Sequence, residues 1–172
     1  DTKFQEYVSE MKSRGIKLLP PDVNKSLDRF TICDNSLLFP LNAISGVNDV
    51  LVANIIHERN INGEFKTLFD FVIRLFPYKI SEVQIKHLID AGALDSLYHS
   101  RESMRYTVLS AIQYATLLSD ENGGQISLGI HELMVPPMIN MKDNPLDNLD
   151  KEYDAIGIML SDNPLSYKKQ LI

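Results

Sequence analysis

The sequence predicts a mainly α fold, with a short N-terminal β hairpin, two helix pairs each joined at a glycine turn, and a C-terminal extension. Three observations predict it. Apolar residues recur at helical spacing over most of the chain. Ser, Thr or Asp opens most periodic stretches, and Gly, Pro or Asn closes them. Short β-type runs flank Asp34-Asn35.

The first helix is expected from Thr2 to Arg14, with Phe4, Tyr7, Val8 and Met11 as its apolar stripe and Gly15 as its stop. Residues 16–19 and Pro20-Pro21 are extended, because two prolines forbid a helix there. Phe30-Thr31-Ile32-Cys33 and Ser36-Leu37-Leu38-Phe39 form the hairpin, since Asp34 and Asn35 tolerate positive φ. Cys33 is then expected to be a buried small hydrophobe.

A short helix over Leu41–Ile44 leads to the turn Ser45-Gly46-Val47-Asn48. Asp49 caps a helix running to about Arg59, with Val50, Ala53 and Ile56 inward. Thr67 opens a helix with Leu68, Phe71, Val72 and Leu75 as core residues, ended by Pro77. Ser81 caps the next, with Val83 and Leu88 on its inner face. Ala91-Gly92-Ala93-Leu94 is the second turn, with Asp95 as a cap, and Ser100 with Ser103 opens a long helix over about Arg101–Leu118. Residues 119–124 read as a polar, glycine-rich linker, and a last helix covers Leu146–Ile158. The organisation is thus 1–40, 41–118 and 119–172.

Composition excludes several classes. With 172 residues, 44% hydrophobic and 23% charged, the chain suits one globular domain with an attached segment. No run approaches the roughly 20 apolar residues of a membrane span. The single cysteine excludes an internal disulfide and predicts a reducing, cytoplasmic compartment. The start at Asp1, with no signal-type segment, reads as a piece of a longer protein. A net charge of −6 excludes a broadly basic nucleic-acid binder. Residues 1–116 are nearly neutral, with 13 Lys+Arg against 14 Asp+Glu, whereas residues 117–172 hold 4 against 9. The first two thirds therefore suit a local phosphate site and the last third does not.

The glycine turns carry the functional reading. A helix that begins at such a turn presents unpaired N–H groups and the positive end of its dipole, an anion site that needs no cationic side chain. At the first turn Gly46 supplies positive φ, and Asn48 is a residue type that also visits the left-handed region. Lys17, Lys25, Arg59, Lys66, Lys79 and Arg101 are candidate supporting cations, more simply read as surface charges, and Arg101 also suits a nearby carboxylate. Tyr98, Tyr106 and Tyr114 read as a packing stripe, and residues 150–154 as a solvated acidic face. No Asp-x-Asp, zinc ribbon or phosphate loop is present, and the four histidines are too scattered for a zinc site.

Leu19-Pro20-Pro21-Asp22-Val23-Asn24 with Ser26, then Leu41-Asn42-Ala43-Ile44-Ser45-Gly46-Val47, Ile55-Ile56-His57-Glu58-Arg59, Gly63-Glu64-Phe65, Leu68-Phe69-Asp70-Phe71 and Leu88-Ile89-Asp90-Ala91-Gly92-Ala93-Leu94-Asp95 occur in this order. Arg101, Glu152, Gly157, Leu160-Ser161 and Asn163-Pro164-Leu165 follow. Together they resemble the alpha subunit of bacterial DNA polymerase III, from the end of the fingers through its tandem helix-hairpin-helix region.

The resemblance implies a non-catalytic stretch of a DNA-directed DNA polymerase. It would grip duplex backbone without reading sequence, through Ser45, Gly46, Val47 and Asn48 in one hairpin and Gly92, Ala93 and Leu94 in the other. Asn48 stands where the family has a second glycine. The resemblance also implies a sliding-clamp peptide at Gln125-Ile126-Ser127-Leu128-Gly129, with Gly129 in place of the family's aromatic and Ile130 as the only apolar substitute. Losing a buried aromatic there costs about 2 kcal/mol. The other polymerase III holoenzyme subunits are implied partners, and no cofactor is expected in this stretch. The Mg2+ of the parent enzyme belongs to carboxylates elsewhere. Two other readings are a structural adaptor and a helix-hairpin-helix glycosylase, for which Asp70 is the only nearby catalytic candidate.

Overall fold

The computed structural model describes residues 2–121 and 135–160. Helix α1 (Thr2–Ser13) ends at Gly15, whose φ of +77° lets the chain reverse. Three strands follow: β1 (Lys17–Leu19), β2 (Thr31–Cys33) and β3 (Ser36–Leu38). The expected hairpin is present, β2 antiparallel to β3 with Thr31 opposite Leu38, and Asp34 takes the positive φ its turn requires. The segment read only as extended adds a third strand: β1 pairs parallel to β3, Leu18 opposite Leu37, in the order β1-β3-β2. Cys33 departs from expectation and is exposed. It ends an edge strand at the hairpin turn, with β3 on one side and, among the described residues, no further strand on the other.

The remainder is helical: a 3-10 turn over Leu41–Ala43, α2 (Asp49–Asn62), α3 (Leu68–Leu75), a 3-10 turn over Phe76–Tyr78, α4 (Glu82–Asp90), α5 (Arg101–Glu121) and α6 (Pro145–Ile156). Thr67 caps α3 through the Asp70 N–H. Ser81 caps α4 in a reciprocal box, its Oγ accepting from Gln84 N–H while Gln84 Oε1 accepts from Ser81 N–H. Leu68, Phe71, Val72 and Leu75 of α3 are buried as expected, and α3 and α4 both pack on α5.

Two helix faces are in another phase than the periodicity indicated. The cap of α2 is Asn48 rather than Asp49, and its inward residues are Leu51, Val52, Ile55 and Glu58. Val50 is 70% exposed, Ala53 is exposed and Ile56 is half-buried. The physical reason is a charged residue on the inner face, which an apolar pattern does not register. Glu58 is held there by Arg74, Nε to Oε1 at 3.0 Å, and the guanidinium also lies 4.2 Å from the Phe65 ring centroid. On α4, Leu88 is inward but Val83 is 61% exposed, with Ile85 and Ile89 completing the buried face.

The tyrosine stripe does not form: Tyr114 is buried, Tyr106 is exposed, and Tyr98 precedes α5 and donates to Asn140 Oδ1. Tyr98 lies outside the helix, and Tyr106 and Tyr114 stand about 80° apart around α5, with Tyr114 inward and Tyr106 outward. Nor are residues 150–154 all solvated, because Glu152 is fully buried beside Arg101. One apolar cluster runs from Val8 and Leu18 through the helices to Ala155, Ile156 and Ile158. The extension is therefore part of the same core.

Candidate nucleic-acid interface

The first hairpin joins the 3-10 turn to α2. The Val47 N–H donates to Ile44 O at 3.1 Å and closes the turn, Gly46 sits at φ +78°, and Val47 is buried beneath it as a plug. Asn48 is extended, φ −87° and ψ 170°, and its side chain accepts from Leu51 N–H. Its role is therefore the N-cap, and Gly46 alone carries the left-handed conformation that the sequence also allowed at Asn48. Ser45, Gly46, Asn48, Asp49 and Val50 are exposed.

The N–H groups of Gly46, Asn48, Asp49 and Val50 have no hydrogen-bond partner among the described residues. They are the orphan donors of a helix start, gathered on one open turn. Two neighbours hold the turn from behind. The Ser45 N–H donates to Ala155 O of α6 at 2.7 Å, and the carbonyls of Ser45 and Gly46 face α4, meeting His87 Nδ1 at 2.6 Å and Gln84 Nε2 at 3.4 Å. Asp49 suits the α2 dipole, with Asn42 Nδ2 at 3.4 Å from its carboxylate, but it adds a negative charge beside the donors.

The second hairpin is built differently. Gly92 N–H donates to Ile89 O and Ala93 N–H to Leu88 O, the paired bonds of a Schellman stop, with Gly92 at φ +85°. The glycine is thus explained by ending α4. Gly92, Ala93 and Leu94 are all buried, Ala93 O accepts from Val23 N–H, and α5 begins only at Arg101. A Cβ on Gly92 would lie 2.7 Å from Arg101 Nη2, so the guanidinium roofs the turn.

That guanidinium is fixed on several sides. Arg101 Nε and Nη2 donate to the two carboxylate oxygens of Asp95, each at 2.9 Å, and Nη1 donates to Glu152 Oε1 at 3.1 Å. Burial works against the Arg101 charge, but Asp95 and Glu152 outweigh it and drive its pKa upward. The other Glu152 oxygen accepts from Leu160 N–H. Donors at the α5 start are also taken: Glu102 N–H bonds Asp143 Oδ1 at 2.8 Å and Ser103 N–H bonds Ser100 Oγ at 3.1 Å. Burial acts to raise the Asp143 pKa, yet bonds from Glu102 N–H, Ser100 and Asn148 and the charge of Arg105 hold it below its ordinary value. An internal carboxylate thus stands where an anion would dock on α5.

Of the candidate cations, Arg101 and Arg59 are structural. Arg59 Nη1 donates to Val23 O at 2.8 Å, and burial lowers its pKa against the opposing pull of Asp22. Lys17, Lys25, Lys66 and Lys79 are exposed and make no ion pair among the described residues. Asp70 accepts from Lys66 N–H and pairs with Arg74, so it is committed to structure. The clamp peptide expected at 125–129 lies outside the described residues. Sequence reasoning missed His87 and Asp143, and it placed Glu152 on a solvated face. In the sequence His87 is only one of four scattered histidines, and the other two act across long separations along the chain.

Residues 15–104 match the model of the helix-hairpin-helix motif. The chain is 32% identical to DNA polymerase III subunit alpha of Bacillus subtilis, over 99% of this chain and 16% of that protein. It is 31% identical to the Thermus aquaticus protein of that name, over 95% of this chain and 13% of the relative. It is 33% identical to the Vibrio cholerae protein of that name, over 98% and 15%. The chain thus spans about a sixth or less of these relatives' length. The sealing residues Asp143 and Glu152, and Ala155 behind the first hairpin, fall beyond the matched motif.

Proposed function

Because the chain belongs to the helix-hairpin-helix family, we propose that it is a non-catalytic, duplex-gripping stretch of a bacterial replicative DNA polymerase. The observation that carries this reading is the open first hairpin: four N–H groups, unpartnered among the described residues, at one exposed glycine turn. A phosphate docks on them by charge and geometry, with no base contact and therefore no sequence preference. The first hairpin is the primary contact. The second, roofed by Arg101 and capped by Asp143, sets the scaffold.

The parent's polymerase activity, and the Mg2+ that activity uses, belong in this proposal to the rest of the polypeptide. Gln125–Gly129 tethers the enzyme to the sliding clamp, which raises the effective concentration of polymerase at the primer end. The sequence resemblance, together with the glycine-rich run before this peptide, supports that assignment. Association with the other holoenzyme subunits follows from the same resemblance.

Titration of a labelled duplex with the full chain over a salt series tests the main reading. Affinity is expected to fall linearly with the logarithm of salt and to be indifferent to sequence. No binding at low salt would overturn it in favour of a structural adaptor, and base loss from a damaged duplex in favour of a glycosylase. Pull-down with the clamp, comparing wild type and Gln125→Ala/Leu128→Ala, tests the tether, and equal retention would remove it.

A further inference from the structure

The first hairpin owes its outward amide to α4. A trans peptide is planar, with its C=O and the next N–H pointing in opposite directions. No cis bond occurs among the described residues. Whatever fixes the Ser45 carbonyl therefore fixes the Gly46 N–H on the opposite side. His87 Nδ1 lies 2.6 Å from that carbonyl oxygen. A carbonyl oxygen only accepts, so Nδ1 carries the proton.

Two further contacts agree. Gln84, one turn earlier on the same face of α4, reaches Gly46 O with Nε2 while its Oε1 completes the α4 capping box. A Cβ on Gly46 would lie 2.9 Å from His87 Nδ1, so the imidazole is pressed against the turn itself. The capping box sets the first turn of α4, that turn sets the direction of residue 87, and the ring pulls the Ser45 carbonyl inward.

We propose that His87 is a positioning residue for phosphate: its Nδ1–H, bonded to the Ser45 carbonyl, holds the Gly46 N–H outward toward the duplex backbone. This rests on the proposed duplex-binding function and assigns it a residue that touches no DNA. Without the bond, the Ser45 carbonyl loses its partner on α4, and the outward amide is held only by the remaining contacts of the turn. Exposed Asp49 and Val50 still offer donors, so binding weakens without vanishing.

The test uses the full chain, isotope-labelled, with His87→Leu and His87→Asn. Asparagine carries its amide nitrogen the same number of bonds from Cβ as Nδ1, so it restores the donor. The Leu variant is expected to bind a short duplex roughly tenfold more weakly, the effect of one lost hydrogen bond, and to lose the duplex-induced shift of the Gly46 amide resonance. The Asn variant is expected to recover most of the affinity and the shift. Thermal melts verify that both fold. Equal affinity of the Leu variant and wild type, or equal weakening in both variants, would overturn the role of His87. Failure of the wild type to bind duplex at low salt would instead overturn the reading on which it rests.

Discussion

The two hairpins are alike in sequence, each a small residue, a glycine and another small or apolar residue between helical stretches, yet they solve opposite problems. The first leaves its glycine turn exposed and four donors without partners among the described residues. The second buries its glycine, uses its N–H groups to close α4, and fills the start of α5 with the Asp143 carboxylate. The glycine itself does not decide between these outcomes, because both sit near φ +80° with a neighbouring side chain against the missing Cβ. What decides is the next helix. At the first hairpin α2 starts within three residues of the glycine, whereas at the second α5 starts nine residues on. The first helix start therefore faces outward at the turn, and the second is far enough away to be capped from elsewhere.

The largest effect that separates the two concerns the roof of the second hairpin. Glu152→Ala leaves the buried Arg101 charge without its buried partner, a loss of about 3 kcal/mol. Thermal unfolding followed by circular dichroism is expected to show a fall on the order of 10 °C. A shift under a few degrees would mean that the guanidinium is held without Glu152.

Exchanging the glycines sharpens the contrast. Gly92→Ala forces a side chain to φ +85° and into Arg101, and roughly 2 kcal/mol of stability is expected to go. Duplex affinity of the folded fraction should stay within about twofold. Gly46→Ala meets the same backbone strain at φ +78° and presses on His87, and it should in addition weaken duplex binding. Melts and titrations of both variants give the cross-comparison, and equal binding losses would erase the proposed difference between the hairpins.

The cap of α5 predicts a pH dependence. Asp143 has a folded-state pKa below its ordinary 3.8, so its contribution is complete above that value. It disappears as pH falls through the lower folded value. Asp143→Asn should cost about 1 kcal/mol near neutrality. The difference between variant and wild type should shrink as pH drops below about 4. A difference that stays constant through the acid limb would show that the carboxylate charge is not what caps the helix.

The smallest expected effect has the opposite sign. Asp49→Asn removes a negative charge beside the open donors and keeps a side chain that suits the first turn. Duplex affinity is expected to rise a few-fold at low salt and to converge on wild type as salt screens the charge. Unchanged affinity at low salt would place the phosphate away from this helix start.

Much of the fold was legible in the sequence because caps and stops are local. Thr67, Ser81 and Ser100 mark helix starts, Gly15 and Gly92 mark turns, and Asp34 marks the hairpin by a chemistry contained within a few residues. The inner face of α2 was not legible, since Glu58 occupies a core position that apolar counting cannot recognise. Pairing of β1 with β3 depends on a parallel contact with no turn to announce it. For the site, both glycines were evident but their accessibility was not. That accessibility depends on Asp143, which caps Glu102 across 41 positions of chain, and on Glu152, which holds Arg101 across 51. Such long-range capping leaves no periodic signal.

The central claim is that duplex phosphate meets main-chain amides at one hairpin and not at the other. Amide-resolved NMR of the full chain during duplex titration tests it most directly. Large shifts are predicted at Gly46, Asn48 and Asp49, and none beyond background at Gly92, Ala93 and Leu94. Shifts confined to the second hairpin, or a first hairpin that stays silent while duplex binds, would contradict it.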